Sequence, residues 1–249
     1  MCGRFASFRD AEDLADELAI AELAEDARLL APSWNVAPTD PVRIVVERPA
    51  RDTGEITRSM RVARWGLVPS WAKDPGIGAR MINARSESLL DKPAFAKPFA
   101  ARRCLVVADG YYEWRKLPDA GPKAKQAYWI RPATGRTAAF AGLYEFWRDR
   151  SRSDDDPARW LVTTTVITGA AAGKLELIHD RTPVVLPPDA WDRWLDPDVG
   201  AQEAETLLRA PGAPLTTSPV GAAVGSVRND GPGLIDPDPD PRDPEPVLL

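Results

Sequence analysis

Cys2 is the residue of this sequence with the most distinctive chemistry open to it. Once Met1 is removed, which the small side chain at position 2 permits, Cys2 carries an α-amine and a thiol on adjacent carbons. A free α-amine has a pKa of about 7.7–8.0, so a useful fraction is neutral and nucleophilic near pH 7. An unperturbed thiol, near about 8.5, is partly ionised there too. A 1,2-aminothiol meeting an aldehyde forms a Schiff base, and sulfur then closes a five-membered thiazolidine on the imine carbon. The ring-opened deoxyribose of an abasic site is such an aldehyde. A lone cysteine is a weak motif, and position 2 also reads as an incidental terminal residue.

Other residues can support that chemistry. Gly3 lets backbone approach a ligand, and Arg4 sets a permanent cation beside the nucleophile, suited to a phosphate or to a surface salt bridge. His179, the one histidine of the chain, suits proton transfer near neutrality, or else a hydrogen-bonded place in a loop. Arg181 can pair a phosphate or Asp180. Glu113, between aromatics in Gly110-Tyr111-Tyr112-Glu113-Trp114, is either a desolvated carboxylate fit for acid–base work or an exposed strand-edge residue. Asn83 and Arg85 point the same way if the chain is extended there, and can then hold a sugar and a phosphate; a turn is the other reading. Trp34 and Trp71 can offer stacking faces to unpaired bases, whereas Trp65 is assigned to the core.

The elements that must position these residues follow from periodicity. Asp10 to Leu30 reads as one helix, with Leu14, Leu18, Leu23, Ala27 and Leu30 near helical spacing, Asp10 as cap and Pro32 beyond its end. Pro41 to Glu47 and Met60 to Leu67 read as strands joined by a turn at Asp52-Thr53-Gly54. Trp71 to Ala101 is loop-rich with short helical pieces. Strands follow at Arg103 to Ala108, Gln126 to Ile130, Ala138 to Phe146 and Trp160 to Ile167, with a polar loop from Arg150 to Pro157. A short helix is expected over Ala170 to Ile178, a strand over Thr182 to Leu186, and helices over Pro188 to Leu195 and Gln202 to Arg209. No internal repeat is present. The pattern predicts a single α+β domain rich in antiparallel strands over residues 1–229. The Pro/Asp tract that follows, residues 230–249, reads as a disordered acidic tail whose removal leaves activity intact.

The composition, 44% hydrophobic and 28% charged, is that of a globular chain with a core. The longest apolar runs fall well short of the roughly 20 residues of a membrane span, and the N-terminus lacks a signal-peptide pattern, so a cytoplasmic location with free thiols at Cys2 and Cys104 is expected. A net charge of −5 argues against a polyanionic partner only until its distribution is read. The tail from Asn229 onward accounts for −5, Asp10 to Leu30 carries eight acids and one arginine, and Arg61 to Arg115 carries ten bases against five acids. A basic middle segment is compatible with nucleic acid.

Met1-Cys2-Gly3-Arg4-Phe5, Trp34-Asn35-Val36-Ala37-Pro38, Trp65-Gly66-Leu67-Val68-Pro69-Ser70-Trp71, Asn83-Ala84-Arg85, Arg103-Cys104-Leu105, Gly110-Tyr111-Tyr112-Glu113-Trp114, Ile178-His179-Asp180-Arg181-Thr182-Pro183 and Val224-Gly225-Ser226-Val227-Arg228-Asn229 together resemble the SOS response-associated peptidase family. Members of that family crosslink to abasic sites in single-stranded DNA. The resemblance runs from Cys2 to about Asn229 and implies a compact α+β fold with a β-barrel-like core, flanking helices and a positive groove. It implies Cys2 as nucleophile, with Asn83 holding the adduct. Glu113 would assist the Schiff-base chemistry and its reversal, and His179 would move protons as the sugar ring opens. Arg4, Arg85 and Arg181 would meet phosphates, and Pro38 with Trp71 would shape the strand's path. It implies no cofactor and no metal, a monomer, no membrane, nucleoid association when bound, and lyase-like activity, with Met1 removed either by self-cleavage, a further hydrolase activity, or by a general aminopeptidase. Thr182 departs from the pattern, since the family often has a bulkier residue there. Three rivals remain: an N-terminal-nucleophile glutamine amidotransferase, a cysteine peptidase using Cys2 with His179, and a noncovalent single-strand binder.

Overall fold

The computed structural model describes residues 2–50, 53–117, 120–121 and 123–242. In chain order the elements are β1 (Phe5–Ser7), α1 (Ala11–Glu17), β2 (Glu22–Leu23), α2 (Glu25–Leu29), β3 (Ser33–Val36), β4 (Pro41–Pro49), β5 (Ile56–Trp65), β6 (Asn83–Arg85), α3 (Pro93–Ala101), β7 (Arg103–Ala108), β8 (Gly110–Lys116), β9 (Lys125–Pro132), β10 (Ala138–Arg148), β11 (Trp160–Ala170), β12 (Arg181–Pro183), α4 (Trp191–Leu195), α5 (Ala201–Arg209) and β13 (Leu215–Val220). Short 3-10 turns lie at Pro75–Arg80, Gly173–Leu177, Ala222–Gly225 and Pro232–Ile235, among others.

Two sheets make an α+β fold. Strands β11, β10, β7, β4 and β5 run side by side, and a parallel pairing of β11 with β5 (Thr163 beside Arg64, Thr164 beside Trp65) closes them into a five-stranded barrel. The other sheet has the order β13-β9-β8-β1-β3. Alternation along the strands sorts the side chains. One face of the barrel strands (Ile44, Trp65, Val106, Phe140, Val166) packs with Cys2, Phe5, Tyr111 and Tyr128 of the second sheet. Their other face (Val45, Met60, Leu105, Leu143, Ile167) is covered by the helices through Leu14, Phe99 and Trp194. A third cluster, with Tyr112, Trp129 and Val220, lies against the far face of the second sheet.

Buried Arg103 ties helices to barrel. Its guanidinium donates to the carbonyls of Phe99, Trp194, Asp196 and Val199 and lies 5.8 Å from the Trp194 ring. Four carbonyl acceptors replace the water it loses. Gly66 and Gly78 approach so closely that a Cβ on either would sit 2.5 Å from the other's carbonyl oxygen.

Three sequence expectations change. The segment Asp10 to Leu30 is two short helices, not one: Asp10 caps α1 as expected, but Ala19 turns to φ +53° and β2 then adds in parallel to the edge of β5. The edge pairing satisfies backbone groups that a continuous helix would have satisfied internally. Glu113 lies within a strand, β8, that the expected elements did not include. Residues 230–242 of the presumed tail lie against the domain: Asp230 accepts from the Trp34 amide at 2.6 Å, Leu234 and Ile235 pack on the third cluster, the Asp238 amide donates to the Pro219 carbonyl, and the Arg242 amide donates to Gln126 Oε1. Met1, Asp52 and residues 243–249 lie outside the described residues. No helix among the described residues is long and apolar enough to cross a membrane.

Candidate active site

Cys2, just before β1, is fully buried where the two sheets meet. Its carbonyl accepts from Asn83 Nδ2 at 2.7 Å, which ties the N-terminal segment to β6. β6 is extended and pairs in parallel with β11, with Ala84 buried on one face, so Asn83 and exposed Arg85 share the other. Asn83 Oδ1 is buried and has no hydrogen-bond partner among the described residues. A buried acceptor left open is costly, and this one lies beside Cys2.

Burial pushes the Cys2 thiol well above its ordinary value, and the charge of Glu113 pushes it further. The thiol therefore stays protonated at neutral pH, in contrast to the partial ionisation expected from sequence, and needs a base to react. Glu113 is 4% exposed. Burial raises its carboxyl above the usual range, and the charge of His179 acts the other way. A carboxyl raised in this way can donate a proton in one step and take it back in the next.

His179 follows the Gly173–Leu177 turn, and its side chain is 30% exposed. Its Nδ1 accepts the Arg181 amide proton at 2.9 Å and lies 2.8 Å from Asp180 Oδ1. The two contacts belong to different charge states. A neutral ring accepts the amide through Nδ1 and carries its proton on Nε2, whereas a cationic ring donates from Nδ1 to Asp180.

The three arginines differ. Arg4 donates through one nitrogen to Asn35 Oδ1 at 2.8 Å and to the Val224 carbonyl at 3.0 Å, and burial lowers its pKa. Arg85 is exposed. Arg181 is turned onto Glu87 in a two-pronged ion pair (2.6 and 3.0 Å) and onto the Thr168 carbonyl. Its charge is already matched, so it braces β12 rather than facing outward.

Pro38 is half-buried in a turn where Thr39 adopts φ +77°, rare for a β-branched residue. Reciprocal bonds between this turn and Trp65 hold it: the Thr39 amide donates to the Trp65 carbonyl and the Trp65 amide to that of Asp40. Trp71 is 63% exposed on a loop fastened by Trp147 Nε1 donating to the Ala72 carbonyl. Trp34 stacks on Phe8, and Trp65 is core.

Cys2 is bonded to Asn83 and lies within electrostatic reach of Glu113, as Glu113 does of His179, whereas Arg4 is turned onto Asn35 and Val224 and Arg85 is exposed. Sequence reasoning missed the roles of Asn35, Tyr111 and Thr182. Asn35 accepts from Arg4 and donates to the carbonyls of Val224, Ser226 and Asn229, so it joins the first and last matched motifs. Tyr111 shares the Glu113 face of β8, which strand alternation would have indicated had β8 been recognised. No cluster of three or more metal-binding side chains occurs among the described residues.

The model of the SOS response associated peptidase family matches residues 1–227. The chain is 36% identical to the abasic site processing protein YoqW of Bacillus subtilis over 95% of its own length and 99% of that protein's. It is 31% identical to the abasic site processing protein YedK of Escherichia coli, covering 95% and 100% of the two chains. A crystal structure of a Bacteroides thetaiotaomicron protein shares the fold with a TM-score of 0.78 at 21% identity, covering 95% of this chain and all of that one.

Proposed function

Since the chain belongs to the SOS response associated peptidase family, we propose that it processes abasic sites, capturing the ring-opened sugar in single-stranded DNA through Cys2 freed of Met1. The observation that carries the reading is Cys2 pinned by Asn83 beside an open acceptor and within the electrostatic reach of a buried carboxyl that perturbs its thiol.

His179 opens the sugar by moving a proton between the ring oxygen and the C1′ hydroxyl. The Cys2 amine adds to the aldehyde carbon, and the carbinolamine loses water as protonated Glu113 donates to the departing hydroxyl. Glu113, now a carboxylate, takes the thiol proton as sulfur bonds to the imine carbon, whose π electrons pass to nitrogen. Aldehyde and aminothiol thus give thiazolidine and one water. Asn83 Oδ1 accepts from the hydroxyl freed by ring opening. Arg4 and Arg85 meet flanking phosphates, and Pro38 and Trp71 guide the strand; Arg181 acts indirectly, as a brace. The same groups running backwards, with one water taken up, return the thiazolidine to free aldehyde and aminothiol. Self-cleavage of Met1 is a hydrolase step at the same site, and the protein works as a cytoplasmic monomer, nucleoid-associated while bound.

The test is one denaturing gel of purified protein with a single-stranded oligonucleotide bearing one abasic site. A shifted, heat-stable band is expected. Glutamine hydrolysis releasing ammonia, with no such band, would favour the amidotransferase reading instead.

A further inference from the structure

We infer that Tyr111 and Thr182 form a positioning pair that fixes Glu113 relative to His179 across the junction of the two sheets. The inference rests on the reading above for what those two residues do. Tyr111 and Glu113 are two apart on β8 and share a face, whereas Tyr112 between them turns to the far cluster and donates to the Trp34 carbonyl. The Tyr111 ring is fully buried and set edge-on to Phe140 at 6.1 Å, so packing fixes where its hydroxyl lies. That hydroxyl is 2.7 Å from Thr182 Oγ1.

Thr182 is in β12, on the barrel side, three residues after His179. The amide of its neighbour Arg181 supplies the hydrogen bond to His179 Nδ1. One hydroxyl pair thus connects the strand that carries the carboxyl to the segment that orients the imidazole. Burial raises the Tyr111 phenol far above neutrality, and the charges of Cys2 and Glu113 raise it further, so it stays protonated and belongs to their surroundings. The Tyr111 hydroxyl takes up the hydrogen bond of Thr182 Oγ1. Neither residue touches the reacting atoms in the mechanism; the pair acts through Glu113 and His179.

The experiment uses the full chain with Tyr111→Phe, Thr182→Val, Thr182→Ser and the Tyr111→Phe/Thr182→Val double variant. Tyr111→Phe retains the ring packing and leaves Thr182 Oγ1 its contact with the Pro183 carbonyl, so folding survives the change. Adduct formation is timed on a single-stranded abasic oligonucleotide, and affinity is measured on its tetrahydrofuran analogue, which has no aldehyde. Each hydroxyl-deleting single variant is expected to slow the adduct about tenfold with unchanged affinity. Thr182→Ser should restore the rate, and the double variant should be no slower than either single. Because His179 is the chain's one histidine, its ring signals in NMR are assigned by inspection; they should move in Tyr111→Phe and Thr182→Val and stay in Thr182→Ser. A wild-type rate in Tyr111→Phe with unmoved His179 signals, or losses that add in the double variant, overturns the inference. If the wild-type protein forms no adduct, the proposed function fails, and the His179 signals alone decide the pair.

Discussion

Asn83 Nδ2 and the carbonyl oxygen of Cys2 are 2.7 Å apart, a hydrogen bond between residues 81 positions apart in the chain. It restrains the backbone of Cys2, so that in the proposed reaction amine and thiol reach an incoming carbon from one fixed residue.

That both nucleophiles must come from Cys2 is tested by deleting one. Cys2→Ala is expected to abolish the heat-stable adduct while leaving an imine that borohydride traps, because the amine remains. Normal heat-stable yield from this variant would refute ring closure by sulfur.

Blocking the amine is the complementary change. An uncleavable N-terminal extension turns it into an amide nitrogen whose lone pair is delocalised, and the thiol alone gives only a labile hemithioacetal. Intact-mass spectrometry after incubation with abasic DNA should show no adduct on the blocked protein. A C-terminal tag should be harmless.

Glu113→Gln separates chemistry from stability. The crosslinking rate should fall by about 10²-fold or more, the usual scale for general acid–base groups. Burial raises this carboxyl in the folded chain, which therefore binds its proton more tightly than the unfolded chain does. Stability is accordingly greatest below the unfolded value, about 4.3, and is lost as pH rises through the folded one. Thermal melting should show the variant gaining on the wild type as pH rises above the unfolded value. An equal difference at every pH would count against a raised carboxyl.

The arginines should divide in salt titrations. Arg85→Ala is expected to reduce the log–log salt slope of single-strand binding by about 0.7 for the phosphate it contacts. Arg181→Ala should leave the slope unchanged and slow crosslinking, because its partner is Glu87.

Truncation before Asp230, harmless on the sequence reading, is now expected to destabilise the domain by about 1–3 kcal/mol through partial loss of Leu234 and Ile235 packing. Truncation after Arg242 serves as control, and urea melts of the two decide.

How much was legible follows element by element. The barrel strand Arg103 to Ala108 was read with its observed limits, because a continuous apolar run bounded by polar residues has few alternatives. The Asp10 to Leu30 break was hidden, since Leu14, Leu18 and Ala27 are all buried in one cluster although two helices carry them. The site's residue types came from motifs. What those motifs do to one another did not: Asn35 with Val224, Tyr111 with Thr182 and Arg181 with Glu87 join positions 71 to 189 apart, and side-chain type carries no record of such partners.

The bond from Arg4 to the Val224 carbonyl has a consequence in time. Of the groups that seat residues 2–4, Asn35 and Asn83 are made early, whereas the Val224 carbonyl follows nearly all of the described residues. On the proposed function, a growing polypeptide freed of Met1 displays the Cys2 aminothiol before Glu113 and His179 are in place, and domains close only when their distant contacts are available. Late translation of Val224 thus leaves the seat of Arg4 incomplete until all five barrel strands, the last of which ends at Ala170, have been made.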